Sequence, residues 1–125
     1  MRRMRFFVAA AALLLVAAAP GGERWTRAWT ASMWQVQGDQ AKTLENVTIR
    51  SAVRVGAGGP QLRLRLANDY GPALTIGAAT VRLPGGQAVR VTFGGTASVR
   101  VPESAPLVSD PIALPVKAFD VVEVS

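Results

Sequence analysis

The stretch QLRLRLANDYGPALTIG, residues 61–77, decides the fold class through the alternation of its first half. Successive side chains of an extended strand point to opposite faces, so Leu62, Leu64 and Leu66 share one face. The arginines between them share the other face, which predicts a strand with one apolar and one solvated side. Such strands are typical of antiparallel sheets that cover a core on one side.

The second half of this stretch contains NDYGP, which predicts a turn. Asn68 and Asp69 favour turns because their side chains hydrogen-bond to nearby backbone groups. Gly71 permits a left-handed conformation, and Pro72 fixes φ where the next strand begins. A structural role therefore accounts for every residue of the turn, and a binding role for Asn68 and Asp69 is the alternative.

Alternation with a period of two recurs through the rest of the chain. In VTIRSAVRV, residues 47–55, the first residue and every second residue after it share one face. Further runs are ALTIGAATVRL, AVRVTF, ASVRV, LVSDPIAL and DVVEVS, separated by turn signals such as NDYGP, PGG, GG and PESAP. Short alternating strands with turns at roughly 8 to 12 residue intervals predict an all-β fold, an antiparallel β-sandwich or jelly-roll-like domain.

The N-terminal region has the form of an export signal. Arg2, Arg3 and Arg5 precede an apolar run from Phe6 to Ala19, and small residues follow. This run is shorter than the roughly 20 residues that span a bilayer, so we expect no stable membrane span. The pattern predicts a signal peptide over residues 1–18, a β-domain over 19–125, and a secreted or periplasmic location.

Charge and cysteine content point to no partner. Three of the fourteen basic residues lie in the signal, so eleven basic and eight acidic residues remain, a net charge of +3. The remaining arginines are scattered along strands, which is not the pattern of a nucleic-acid-binding surface. Cysteine is absent, so stability must come from an apolar core without disulfides.

The residue types needed for several catalytic arrangements are missing. The chain contains no histidine, so it cannot assemble a Ser-His-Asp or Cys-His arrangement, or a histidine metal site. Acidic residues at 69, 103, 110 and 120 lie in or beside turns, where carboxylates usually act as solvated caps. The sequence therefore assigns no catalytic, cofactor-binding or metal-binding residue, and implies no cofactor.

Three tryptophans lie close together in ERWTRAWTASMWQVQGDQ, namely Trp25, Trp29 and Trp34. Tryptophans that anchor a first strand onto a sheet or a neighbouring domain are the expected interpretation, because their large rings dominate core and interface energetics. The alternative is an exposed platform that stacks against sugar rings. The sequence leaves both roles open.

Several segments, taken in order, resemble the N-terminal β-domain that precedes the catalytic domain in a group of secreted bacterial SGNH/GDSL hydrolases. The segments are WTRAWTAS, NVTIRSAVRV, GGPQLRLRLANDYGPALTIGAATVRL, VTFGGTASVRVPESAPLVSDPIAL and FDVVEVS. Those proteins have a Trp-rich strand, a Leu-Arg-x-Arg-Leu-Ser/Ala-Asn-x-x-Gly turn, a Phe-Gly-Gly segment and a Ser-Asp-Pro strand. The resemblance covers residues 25–125.

This resemblance implies an accessory role in ester hydrolysis. The family's Gly-Asp-Ser nucleophile block, oxyanion-stabilising Gly and Asn, and Asp-x-x-His block belong to a following domain and have no counterpart here. Asn68 does not correspond to the family's oxyanion Asn. We therefore expect a truncated accessory domain, inactive by itself, whose partner is the missing catalytic domain and whose parent enzyme acts on acylated sugars or lipids. A free-standing carbohydrate-binding module is the alternative.

Overall fold

A computed structural model describes residues 22–40 and 42–125 of the chain. The predicted signal peptide, residues 1–18, lies outside this part. The described residues form antiparallel β-sheets without an α-helix, so the predicted all-β fold is confirmed. In this described part, one 3₁₀ turn, Gly38–Gln40, precedes eight strands: β1 Ser51–Arg54, β2 Arg65–Leu66, β3 Leu74–Ile76, β4 Thr80–Arg82, β5 Val89–Arg90, β6 Val99–Val101, β7 Leu107–Val108 and β8 Val121–Val124.

The largest sheet has four antiparallel strands in the order β1-β8-β4-β5. Strand β8 pairs on one side with β1, where Arg54 faces Val121, and on the other side with β4. On the solvent face, Arg82 of β4 lies opposite Glu123 of β8 and forms an ion pair with it. Polar residues on this outer face leave the valines of the inner face to form the core.

Two shorter antiparallel ladders complete the described sheets, β2 with β7 and β3 with β6. Isolated bridges extend the first of these ladders, including one between Leu62 and Ile112. The next pair in this ladder is Arg65 with Val108. One strand therefore advances three residues, from 62 to 65, whereas the other spans four, from 108 to 112. The extra residue is a β-bulge at residues 109–110, which redirects the side chains at that point.

The core lies between the four-stranded sheet and the β2–β7 ladder. Its most buried members are Val81 and Val91, which are fully shielded from solvent, and Val122. Leucines 62, 64 and 66 of the opening stretch pack against this cluster, as their shared face predicts. Residues that complete the buried cluster are Val55, Ala79, Phe93 and Ile112.

Two tight turns depend on glycine. In the β4–β5 hairpin the Gly86 N–H donates to Leu83 O at 2.9 Å, and Gly85 has a φ of 74°. Proline followed by a glycine with positive φ is typical of a type II turn, and the turn that the PGG signal predicts is confirmed. In the second turn, Gly94 and Gly95 lie between the bridged residues Phe93 and Thr96. Both glycines have positive φ, which is the pattern of a type I′ hairpin.

Some predicted strands are shorter than the sequence pattern suggests. The alternation over residues 47–55 becomes a strand only at β1, and Val47 and Ile49 are exposed. The tryptophan-containing segment before it forms no strand in the described residues. The pattern marks residues able to pair, but β1 pairs with β8 over four residues only, so the alternation before it lacks a partner strand.

No helix in the described part of the chain is long and apolar enough to cross a membrane.

Candidate functional site

The turn after β2 is fixed by the side chain of Asn68, which is 8% exposed. Its Nδ2 donates to Pro72 O at 2.8 Å, with longer contacts to the carbonyl oxygens of Gly71 and Pro102. Its own backbone carbonyl accepts the N–H of Ser104 at 2.8 Å. The predicted turn-forming role of Asn68 is therefore confirmed, and the side chain also joins this turn to the segment after β6.

Two details of the predicted turn are wrong. Gly71 does not have a positive φ, because a residue before proline is driven towards extended conformations and Pro72 follows it. Asp69 is exposed, and within the described residues its carboxylate makes no hydrogen bond to the turn. Asn68 therefore holds the turn without the contribution that was expected from these two neighbours.

The carboxylate of Asp110 holds the diglycine hairpin in place. It accepts hydrogen bonds from Thr92 Oγ1 at 2.7 Å, Gly95 N at 2.8 Å and Gly94 N at 3.0 Å. The bulge beside it is closed by Ser109, whose buried hydroxyl accepts from a backbone N–H and donates to the Asp110 carbonyl at 2.8 Å. Asp110 therefore joins the Ser-Asp-Pro and Phe-Gly-Gly segments, which are separate in the sequence.

These hydrogen bonds have an electrostatic consequence. The Thr92 hydroxyl, followed by the N–H groups of Gly95 and Gly94 and the Arg63 guanidinium, lowers the pKa of Asp110 below its ordinary value of 3.8, and partial desolvation opposes this. All these groups favour the ionised carboxylate. Asp110 is a structural anion with its oxygens already occupied, which is unsuited to general acid–base chemistry near neutral pH.

The other turn carboxylate with a defined contact is Asp120, which accepts the Lys117 N–H at 2.8 Å. This is the cap that its position in a turn predicts. Within the described residues, no group of three or more His, Cys, Asp or Glu side chains lies where it could hold a metal ion.

The three tryptophans are all substantially exposed, which contradicts packing onto the sheet, while packing onto a neighbouring domain stays a prediction. Trp25 is 43% exposed, Trp29 is 52% exposed and Trp34 is 84% exposed. Trp25 lies under the Arg63 guanidinium, 4.5 Å from the ring centroid, which is a cation–π contact at the surface. The segment that carries these rings forms no strand, so no regular pairing draws them onto the sheet.

A cleft of about 460 Å³ lies between the tryptophan-containing segment and the Asn68 turn. Trp34 and Tyr70, both exposed, line it together with Lys42 and Asn68. Its volume falls within the range of roughly 300 to 1,000 Å³ typical of small-molecule sites. Neither Tyr70, which lies in the NDYGP turn, nor Lys42 was predicted as a site residue, because neither belongs to a known ligand-binding motif.

Comparison with known proteins returns no matching protein-family model and no matching curated protein.

Proposed function

We propose that this chain is the N-terminal accessory β-domain of an exported SGNH/GDSL-type ester hydrolase, and that it packs against and positions the catalytic domain. The resemblance of the sequence motifs suggests the family, and an all-β fold agrees with a β-domain of this kind. Asn68 and Asp110 each lie in a motif quoted for the resemblance, and each joins separate segments of the domain. The shared motifs are therefore those that a common β-domain would need in order to fold.

One observation carries the accessory role, namely the exposure of many large apolar side chains in a single segment. Apolar surface exposed by many large side chains of one segment typically marks a site where another surface packs. We infer that the catalytic domain covers this segment. The exposed residues between positions 25 and 49 are Trp25, Trp29, Met33, Trp34, Val36, Leu44, Val47 and Ile49.

Ester hydrolysis in this arrangement depends on the partner domain. A serine hydroxyl needs an adjacent base to become a nucleophile, and this chain contains no histidine to act as one. The catalytic domain contributes the serine, the histidine base and the donors that stabilise the oxyanion. The β-domain contributes position and a wall of the cleft for acylated sugars or lipids.

The first experiment asks whether a Gly-Asp-Ser block followed by an Asp-x-x-His block is encoded downstream of Ser125. If both blocks are present, the two-domain product and its catalytic domain alone are compared for hydrolysis of p-nitrophenyl acetate. We expect the two-domain product to be more active or more stable. The absence of both blocks, or turnover by the β-domain alone above a heat-treated control, would contradict the proposal.

A second candidate function, a carbohydrate-binding module, is favoured by the exposure of the tryptophans. Exposed indole rings present an apolar face and a polar N–H at once, which suits the C–H faces and hydroxyls of sugars. The substitution Trp29→Ala tests this role through retention on polysaccharide gels, with a thermal melt to confirm folding. Unchanged retention on every gel that holds the parent protein would argue against Trp29 as part of such a platform.

A further inference from the structure

The cleft beside the Asn68 turn combines aromatic rings with hydrogen-bonding groups. Trp34 is 84% exposed and Tyr70 is 56% exposed, and both line the cleft. Aromatic rings of this size bury a large apolar area when a ligand covers them, and their faces suit the C–H surface of a pyranose ring. Two such rings in one cleft fit a sugar chain better than an isolated small solute.

One wall of this cleft is held in a fixed conformation. Tyr70 lies two residues after Asn68, whose amide donates to Pro72 O at 2.8 Å across the same turn. The backbone carbonyl of Asn68 also accepts the N–H of Ser104, which attaches the turn to a second segment. A wall that is ordered before binding reduces the entropy that a ligand must overcome.

The charge of the cleft indicates what kind of sugar it suits. Lys42 lines the cleft, and no carboxylate is among its lining residues in the described part of the chain. Asp69 lies beside Tyr70 in sequence and is exposed, but it does not line the cleft. An ammonium group in a partly apolar cleft favours a carboxylate, because charge-assisted hydrogen bonds are stronger than neutral ones.

We propose that this cleft binds an acidic oligosaccharide, a chain of pyranose rings that carry carboxylate groups. Trp34 and Tyr70 stack against the rings, and Lys42 donates to a carboxylate. This inference deepens the second candidate function and rests on it. It assigns the sugar contacts to Trp34, Tyr70 and Lys42, rather than to the tryptophan cluster as a whole.

The test uses the purified protein with oligogalacturonate as the acidic probe and its methyl-esterified form as the matched neutral probe. Binding is measured by isothermal titration in the presence of EDTA, so that divalent cations cannot bridge the sugars. We expect Trp34→Ala and Tyr70→Ala each to weaken binding by about tenfold, as loss of one aromatic contact implies. The control Phe119→Ala removes an exposed ring that does not line the cleft and leaves binding unchanged, and thermal melts confirm that each variant is folded.

The contribution of Lys42 is tested against Lys117, the other lysine of the chain, which does not line the cleft. We expect Lys42→Gln to weaken binding of the free acid by about fivefold, because a charge-assisted hydrogen bond is lost, and to leave the methyl ester unaffected. Lys117→Gln changes neither affinity. Equal affinity of the parent protein for the two probes would overturn the preference for acidic sugars.

The remaining outcomes separate this inference from the function on which it rests. If a sugar binds and Trp29→Ala abolishes binding while Trp34→Ala does not, the assignment of the sugar site to this cleft is wrong. The proposed carbohydrate-binding function then still holds. If neither these probes nor the polysaccharide gels show saturable binding, both proposals fail. Binding that depends on Trp34, Tyr70 and Lys42, with the free acid preferred, supports both.

Discussion

The substitution Asn68→Ala tests whether the turn after β2 is held by one amide. The Asn68 side chain is 8% exposed, and its Nδ2 donates to Pro72 O at 2.8 Å. Alanine removes this donor, so the Pro72 carbonyl oxygen loses its partner in a partly buried hydrogen bond. The loss therefore has two parts, the hydrogen bond itself and the cost of the unpaired acceptor.

These two parts together have a predictable size. A typical hydrogen bond contributes about 1 kcal/mol, and an unsatisfied buried partner costs about 1 to 3 kcal/mol. The longer contacts to Gly71 and Pro102 add little, since they are 3.5 Å and 3.4 Å. We expect Asn68→Ala to lower the free energy of unfolding by about 2 kcal/mol, which corresponds to roughly 8 °C in Tm for a domain of this size.

The assay is urea unfolding followed by tryptophan fluorescence and by circular dichroism, with Asp69→Ala as the matched control. Asp69 is exposed, so its removal should change the free energy of unfolding by less than about 0.5 kcal/mol. Equal stabilities for Asn68→Ala and the parent protein would refute the argument that this amide holds the turn. Equal losses for the two variants would show that the turn responds to any change.

Three further predictions concern the framework around the turn. A Cβ at Gly58 would lie 2.6 Å from Val116 O, so Gly58→Ala should destabilise by about 2 kcal/mol in thermal melts, whereas Gly77→Ala meets no atom within 4 Å and should not. Val81 is fully buried, so Val81→Ala should cost about 2 kcal/mol in urea unfolding, and a value near zero would contradict the packed core. The folded-state pKa of Asp110 lies below its ordinary value of 3.8, so its stabilising contribution is present above that pH and is lost as pH falls further. The stability difference between the parent protein and Asp110→Asn should therefore shrink from pH 5 to pH 2, and a constant difference would contradict this.

The alternation of leucines and arginines predicted the fold class, because side chains on a pleated strand separate an apolar face from a solvated one. Leu62, Leu64 and Leu66 pack against the core as a group, and the PGG turn forms where proline and glycine predict it. Local chemistry was sufficient for these features. The type of turn and the face of a strand are both decided by residues next to one another.

Features that depend on distant partners could not be predicted in this way. The alternation before Ser51 does not continue the strand, because β1 pairs with β8 over four residues only. The contact of Asp110 with Gly94 and Gly95 joins residues about fifteen positions apart, and no local pattern announces it. The tryptophans were expected to pack onto the sheet or onto a neighbouring domain because of their size, and which of the two occurs depends on a partner surface that no local pattern specifies.

The position of β8 in its sheet has a consequence for synthesis on the ribosome. Arg54 of β1 pairs with Val121 of β8, so β1 leaves the ribosome 67 residues before its neighbour. At roughly 5 to 20 residues per second, this strand has an unpaired edge for several seconds. During this interval the nascent chain offers a template for wrong pairing, and a chaperone that binds extended segments would protect it.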